Sequence, residues 1–181
     1  KSAEQQSVLA LHRVRQGFVE ERTATINRIR GLLAEFGHVL PQRAVEVRRR
    51  LPALLEQLPP LAARALGDLQ AHARVLDERV VEYERELARL ARSDERAQQV
   101  QALCGVGPLT ASAIIASVGS AHEFDNGRQF AAWLGLVPRQ YSTGGKTRLG
   151  HITRRGDPYL RTLLVLGARA VLQAASRRED R

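Results

Sequence analysis

Positions alternately four and three residues apart form a continuous line through the first part of the chain: Leu11, Arg15, Phe18, Arg22, Thr25, Ile29, Leu32 and Phe36. This is the heptad spacing of a long helix with an apolar seam, interrupted at two seam positions by arginine. A second line, Ala62, Leu66, Leu69, Ala73, Leu76, Val80, Tyr83, Leu87 and Leu90, repeats the alternation with charge on its other faces. Each segment, of about 30 residues, makes a rod of roughly 45 Å at the α-helical rise. Between them Gly37, Pro41, Pro52 and the Pro59-Pro60 pair break the helix and leave a shorter amphipathic piece near residues 42–57. Residues 1–92 are therefore expected to form a long antiparallel helical hairpin or coiled coil. The heptad rule alone leaves open whether the rods pair within one chain or between chains. Arg15 and Arg22 have three outlets: solvent, glutamates of a partner helix, or nucleic acid.

The pattern changes at Ser93-Asp94, and residues 93–181 read as a second, small helical domain, so the fold class is all-α. After a short helix, Leu103-Cys-Gly-Val-Gly-Pro-Leu-Thr-Ala-Ser-Ala-Ile-Ile resembles a helix-hairpin-helix motif. Gly105 and Gly107 permit a tight turn and Pro108 starts the next helix, where its missing N–H is not needed. Leu103, Ala111, Ile114 and Ile115 would pack the two helices. Backbone amides at the turn would offer a phosphate cradle that reads backbone, not sequence, with Gly105, Gly107 and Thr110 as candidate contacts. A plain helical hairpin with a glycine turn is the bland alternative. A further short helix, capped by Asp125 or Asn126, carries Phe130, Ala131, Trp133 and Leu134, with Trp133 expected in the core. The last helix starts at the Asp157-Pro158 cap and runs to about Ser176. Leu160, Leu163, Leu164, Leu166, Ala170 and Val171 make it a buried helix, within which Gly167 marks either a close neighbour or a tolerated glycine.

Between these helices, Pro138 to Arg161 sets Ser142 and Thr143 in a glycine-rich loop among five arginines and one lysine, with Asp157 the only carboxylate. A fixed positive field around a hydroxyl suits work on a phosphodiester. Composition agrees: the net charge is +9, with 11 basic and 5 acidic residues from 97 onward against 17 and 14 before. Of the 28 basic residues 26 are arginine, which a GC-rich genome explains as readily as phosphate recognition, so the position of the charge counts for more than its amount. Cys104 is the single cysteine and the five histidines are scattered, so no disulfide and no metal site is implied. No apolar run reaches the roughly 20 residues of a membrane crossing and no signal segment opens the chain, which makes a cytoplasmic location the expectation. Few aromatics argue against a base-stacking platform as the main binding mode. Gly144-Gly145-Lys146-Thr147 lacks the first glycine and the preceding strand of a P-loop. A Ser/His/Asp hydrolase built on Ser142, His151 and Asp157 lacks the nucleophile elbow.

Four ordered blocks carry a resemblance: Gly105-Val-Gly-Pro-Leu-Thr-Ala, Phe130-Ala-Ala-Trp-Leu-Gly-Leu-Val-Pro, Gln140-Tyr-Ser-Thr-Gly-Gly-Lys, and Ile152-Thr-Arg-Arg-Gly-Asp-Pro-Tyr-Leu-Arg. In this order they resemble the C-terminal domain of the insertion-sequence 110/1111 class, the DEDD transposases. Lys1-Ser-Ala-Glu-Gln-Gln and Leu32-Leu-Ala-Glu-Phe-Gly are similar to that family's intervening helical region. The resemblance implies a DNA recombinase guided by a bridge RNA, with DNA and guide RNA as partners and a homo-oligomer assembled through the helical region. It implies a composite active site in which a RuvC-like domain holds Mg²⁺ on an acidic tetrad and the C-terminal domain brings a serine. Ser142 matches that serine, with Thr143 the runner-up nucleophile. Gly144 and Gly145 would let backbone approach DNA, while Arg139, Lys146, Arg148, Arg154, Arg155 and Arg161 are candidate nucleic-acid contacts. No acidic tetrad in a strand context precedes the helices, so the chain reads as a fragment without its own cofactor that binds nucleic acid but does not cut it. The alternative is a non-enzymatic helix-hairpin-helix binding or scaffolding module.

Overall fold

The computed structural model describes residues 1–175. Seven helices account for most of them: α1 (Ala3–Glu35), α2 (Ala44–Leu55), α3 (Pro60–Ser93), α4 (Glu95–Gln101), α5 (Pro108–Ser117), α6 (Gly127–Trp133) and α7 (Pro158–Ala175). Two strands, β1 (Pro138–Thr143) and β2 (Lys146–Ile152), form a single antiparallel pair. The fold is mostly helical with two long N-terminal helices, as expected. The expected end of α7 at Ser176 lies outside the described residues. Two compact units divide the chain: Leu11–Glu86, and Lys1–Ala10 together with the chain from Leu87 onward.

In the Leu11–Glu86 unit α1 and α3 run antiparallel within one chain. Phe18 meets Tyr83 edge-to-face at 5.5 Å, Arg15 pairs with Glu84, and Arg22 reaches Asp77 at 3.2 Å. Within this chain the two rods pack on each other. Of the three outlets for Arg15 and Arg22, carboxylates on α3 are the ones used. Asp77 also accepts from Arg48 of α2 at 2.8 Å, so one carboxylate ties three helices. The core consists of Ile26, Ile29 and Leu33 from α1, Val47 and Leu51 from α2, Leu66 from α3, and Leu40 and Leu58 from the connections. The α3 seam is as predicted. On α1 it widens: Thr25 and Ile29 of the seam are buried together with Ile26 and Leu33, whereas Phe36 is 43% exposed. A straight helix drifts about 20° per heptad against a 3.5-residue repeat, and α2 packs as a third helix and widens the buried face. Contrary to its reading as a breaker, Pro52 lies inside α2 on the exposed side.

The other unit is built around α5. Thr110, Ala111, Ser112, Ala113, Ala116 and Ser117 are all buried, small residues that let neighbours close in on several sides. Ala91, Ala97 and Ala111 form one cluster with Val100 and Val106, while Ala113, Leu134 and Leu160 form another with Phe130, Leu136 and Leu164. Gln5 Nε2 donates to the carbonyls of Ile115 and Val118, both at 3.1 Å, satisfying the open C-terminal end of α5. Asp94 caps α4, Asn126 caps α6 and Asp157 caps α7 through pairs of backbone amides.

Two expectations change here. α7 is not buried all round: Leu160 is enclosed, but Val165, Leu166 and Leu172 are 42%, 54% and 69% exposed. Trp133 is 40% exposed rather than core, stacked on Phe130 at 5.9 Å and edge-on to Phe124. Its position as the last residue of α6 puts the ring at the rim of the helix packing. Gly167 does mark a close neighbour, since a Cβ there would stand 2.0 Å from the Gly105 carbonyl oxygen.

The cationic hairpin as candidate functional site

The segment read as a glycine-rich loop is a β-hairpin, and its construction begins at the end of α6. Gly135, at φ +71°, turns the chain so that its carbonyl accepts from Arg154 N–H at 3.0 Å. Val137 accepts from Thr153 N–H at 2.9 Å. The two segments approach closely enough that a Cβ on Gly156 would lie 2.1 Å from the Trp133 carbonyl oxygen. Arg161 of α7 clips this crossing by donating Nη1 to the carbonyls of Leu134 (3.0 Å) and Gly156 (3.2 Å). Arg154 has φ +56°, a strained conformation for a non-glycine residue. The hairpin therefore leaves a rigid knuckle.

From there β1 and β2 pair in the register Gln140 with Leu149, Tyr141 with Arg148, Ser142 with Thr147, and Thr143 with Lys146. Gly144 and Gly145, at φ +58° and +77°, make the two-residue connection, and positive φ at both positions is what a type I′ hairpin turn demands. A bulge lies between Pro138 and Gln140. Every residue from Pro138 to His151 is exposed, so the hairpin is an arm with no packed face.

Side chains alternate across a strand, and the register sorts the candidate residues onto two faces. Arg139, Tyr141, Thr143, Lys146, Arg148 and Gly150 share one face. The position a Cβ on Gly150 would take, 3.4 Å from the Tyr141 ring and 3.8 Å from Arg139 Cβ, shows the alignment directly. Gln140, Ser142, Thr147 and Leu149 share the other. Neighbours in sequence, Ser142 and Thr143 thus point to opposite sides. Gln140 Nε2 donates to Ser142 Oγ at 2.8 Å. An amide donor orients the hydroxyl oxygen but cannot accept its proton.

The sequence-predicted residues fall into three groups. Ser142, Thr143, Arg139, Gly144, Gly145, Lys146 and Arg148 are together on the exposed hairpin, and Arg154 and Arg155 are exposed at its base. Among the described residues no carboxylate pairs with these arginines or with Lys146; Arg139 Nη2 makes a long contact, 3.4 Å, to the Thr153 carbonyl. Arg161 is committed to the knuckle. Gly105 and Thr110 belong to packing: Gly105, at φ +85°, abuts α7 at Gly167, and Thr110 is 6% exposed, so its side chain is no surface contact. Gly107 remains exposed at the start of α5.

Sequence reasoning missed the strands, Gln140 and Tyr141. The signal was present: two glycines flanked by Gln-Tyr-Ser-Thr and Lys-Thr-Arg-Leu are the hairpin signature, hidden because both faces are polar and no apolar alternation marks a buried side. Among the described residues no group of three His, Cys, Asp or Glu is placed to hold a metal. Beside Ser142 stand the Gln140 amide and the Thr147 hydroxyl, not the carboxylates that Mg²⁺ prefers, so these side chains alone would not hold the ion. No helix among the described residues is long and apolar enough to cross a membrane.

The hairpin is thus an exposed, basic, hydroxyl-bearing arm in a mostly helical chain. Residues 97–181 match the model of the Transposase IS116/IS110/IS902 family, and the chain belongs to that family. It is 48% identical to a probable family 20 transposase of Pseudomonas aeruginosa, over 99% of this chain and 55% of that protein. The transposase for insertion sequence element IS1111A of Coxiella burnetii is 43% identical, over 100% of this chain and 51% of that protein. The transposase for insertion sequence element IS1328 of Yersinia enterocolitica is 42% identical, over 96% and 52%. The chain spans about half the length of these curated relatives.

Proposed function

We propose that this chain supplies the serine nucleophile and part of the nucleic-acid surface of a DNA-recombining transposase. The observation that carries the reading is that Ser142, the residue matching the serine the resemblance implies, is exposed with its Oγ held by Gln140, although the cations expected around it lie on the opposite face. Thr143 shares that opposite face with Lys146 and Arg148. Attack by Ser142 Oγ forms an Oγ–P bond, and the bond from phosphorus to one deoxyribose oxygen breaks. The serine hydroxyl loses its proton and the released sugar oxygen gains one. One phosphodiester replaces another, so the intermediate stores the bond for religation to a different strand. Gln140 cannot take the serine proton, so a different group must.

This reading places a RuvC-like domain with its acidic tetrad in the part of the longer protein outside this chain, and any Mg²⁺ belongs there. DNA and a guide RNA are the partners, and the chain alone binds nucleic acid without cutting it. Because α1 and α3 use their seams on each other, a homo-oligomer would be assembled through their outer faces.

The test joins this chain to the remaining half of the longer protein and incubates it with DNA and guide RNA, followed by a denaturing gel for protein–DNA adduct. The parent and Thr143→Val form the adduct and Ser142→Ala does not. An adduct that survives Ser142→Ala moves the nucleophile elsewhere. A parent protein that binds DNA and yields no adduct leaves the non-enzymatic binding module in its place.

A further inference from the structure

The same alternation that isolates Ser142 gathers every cation of the two strands on the other side. Arg139, Lys146 and Arg148 share one face with Tyr141, and no cation lies on the face of Gln140, Ser142, Thr147 and Leu149. We propose that the Arg139–Tyr141–Lys146–Arg148 face is a separate docking strip for one single strand of nucleic acid, distinct from the phosphate presented to Ser142. The second half of this statement rests on the reading of Ser142 as nucleophile; the strip itself does not.

Three features fit the strip to a strand. Lys146 and Arg148 are two residues apart on β2, which spaces their stems about 7 Å along the arm, and Arg139 extends the line on β1. The strip is about 13 Å long, room for roughly four stacked nucleotides at about 3.4 Å per nucleotide. Tyr141 lies directly across from Arg148 and is 61% exposed. Its ring lies beside Gly150, which brings no side chain against it. Cations that follow phosphates, interleaved with an accessible ring that accepts any base, form the general surface for single strands. An acidic peptide would satisfy the cations and leave the ring without a role. Both faces of the arm are solvent-exposed, so one hairpin can hold one strand while its serine addresses another.

The experiment measures fluorescence anisotropy of labelled 12-nucleotide single-stranded DNA and RNA with the 181-residue chain across a salt series. Tyr141→Ala weakens binding about 10-fold and Tyr141→Phe restores it, as stacking requires. Arg148→Ala weakens binding and lowers the slope of log affinity against log salt by about 0.7, the loss of one phosphate contact on a single strand. Thr147→Ala and Leu149→Ala, on the other face, stay within about twofold because they remove neither charge nor stacking. Equal losses from both faces, no salt-dependent binding by the parent chain, or displacement of the oligonucleotide by an equimolar acidic 12-residue peptide would overturn the proposal. The DNA and RNA arms distinguish which strand is preferred. Failure of the Ser142 reading shows in the adduct assay and leaves this contrast between faces unchanged.

Discussion

The packed helices and the hairpin arm use the same two residue types, arginine and glycine, to opposite ends. Among the helices, Arg15, Arg22 and Arg48 are answered by Glu84 and Asp77, and Arg161 by two carbonyls. On the arm Lys146 and Arg148 have no carboxylate partner among the described residues. Glycines divide in the same way. Gly105, Gly135, Gly156 and Gly167 sit where a Cβ would meet backbone at 2.9 Å or less, whereas Gly144 and Gly145 have nothing within 4 Å and serve only to reach positive φ. Total basic charge is therefore a poor guide to where nucleic acid binds. Arginines consumed by the fold contribute to it, and those left over are available to a ligand.

The contrast predicts its largest effect at Gly156. Alanine there would drive a Cβ into the Trp133 carbonyl oxygen and Leu134 backbone, neither of which can swing away as a side chain does. We expect Gly156→Ala to cost about 3 kcal/mol, read as a lower melting temperature of the unit that contains α5, α6 and α7. An unchanged melting temperature would mean that the knuckle is soft and the arm loosely mounted.

Next in size is an effect of pH on the helical unit, through His12. This side chain is 1% exposed in α1, and burial, with Arg15 nearby, pushes its pKa from 6.5 to about 4. The folded state thus binds its proton less readily than the unfolded state. Stability is fully present above about pH 6.5 and falls as the pH drops towards 4, by about 3 kcal/mol in all. Urea titrations at pH 7, 5.5 and 4 measure it, and His12→Leu flattens the slope in that window. Asp94, whose carboxyl the Arg96 guanidinium holds below the ordinary carboxylate range, starts to lose its contribution only as the pH falls below about 5, so the interval from pH 7 to 5.5 reports His12 most cleanly.

The parts of this structure legible in the sequence were those written in apolar periodicity. The α3 seam and the cap at Asp157 follow from spacing and turn chemistry, whereas the sequence left Gly167 open between a close neighbour and a tolerated glycine. Three features were not legible. The α1 seam kept Thr25 and Ile29 but widened to Ile26 and Leu33, because the third helix, α2, packs beside it and heptad spacing does not encode that partner. Trp133 and the outer side of α7 were assigned to the core from residue type, yet hydrophobicity does not say whether a neighbour exists to cover them. The hairpin was missed because a strand pair with two polar faces lacks the alternation that marks a buried side. Its signal resided in Gly144-Gly145 alone. The motif singles out Ser142 as a candidate, but its separation from Thr143 required the register.

Within the arm, Gly144→Val and Gly145→Val test the conformational half of the contrast. Each forces a β-branched residue to positive φ at a local cost of about 1–2 kcal/mol. Because no helix packs on the arm, amide hydrogen exchange should accelerate in β1 and β2 while exchange in α5 and the global melting temperature stay as they were. A melting temperature that falls in parallel would show the arm to be part of the cooperative core.

The smallest effect separates paired from unpaired charge. Asp77 is about one-third exposed, so solvent screens its bonds to Arg22 and Arg48, and Asp77→Ala should cost only about 0.5–1 kcal/mol. A double-mutant cycle with Arg48→Ala recovers a coupling of similar size, because the second substitution removes a partner already lost. Oligonucleotide affinity should not move in any of these variants. Arg148→Ala should do the reverse, lowering affinity with no measurable change in stability. If Arg48→Ala instead weakens nucleic-acid binding as much as Arg148→Ala, the pairing with Asp77 does not withdraw that arginine from solution. In that case the distinction between structural and available cations fails at the residue where it is drawn most finely.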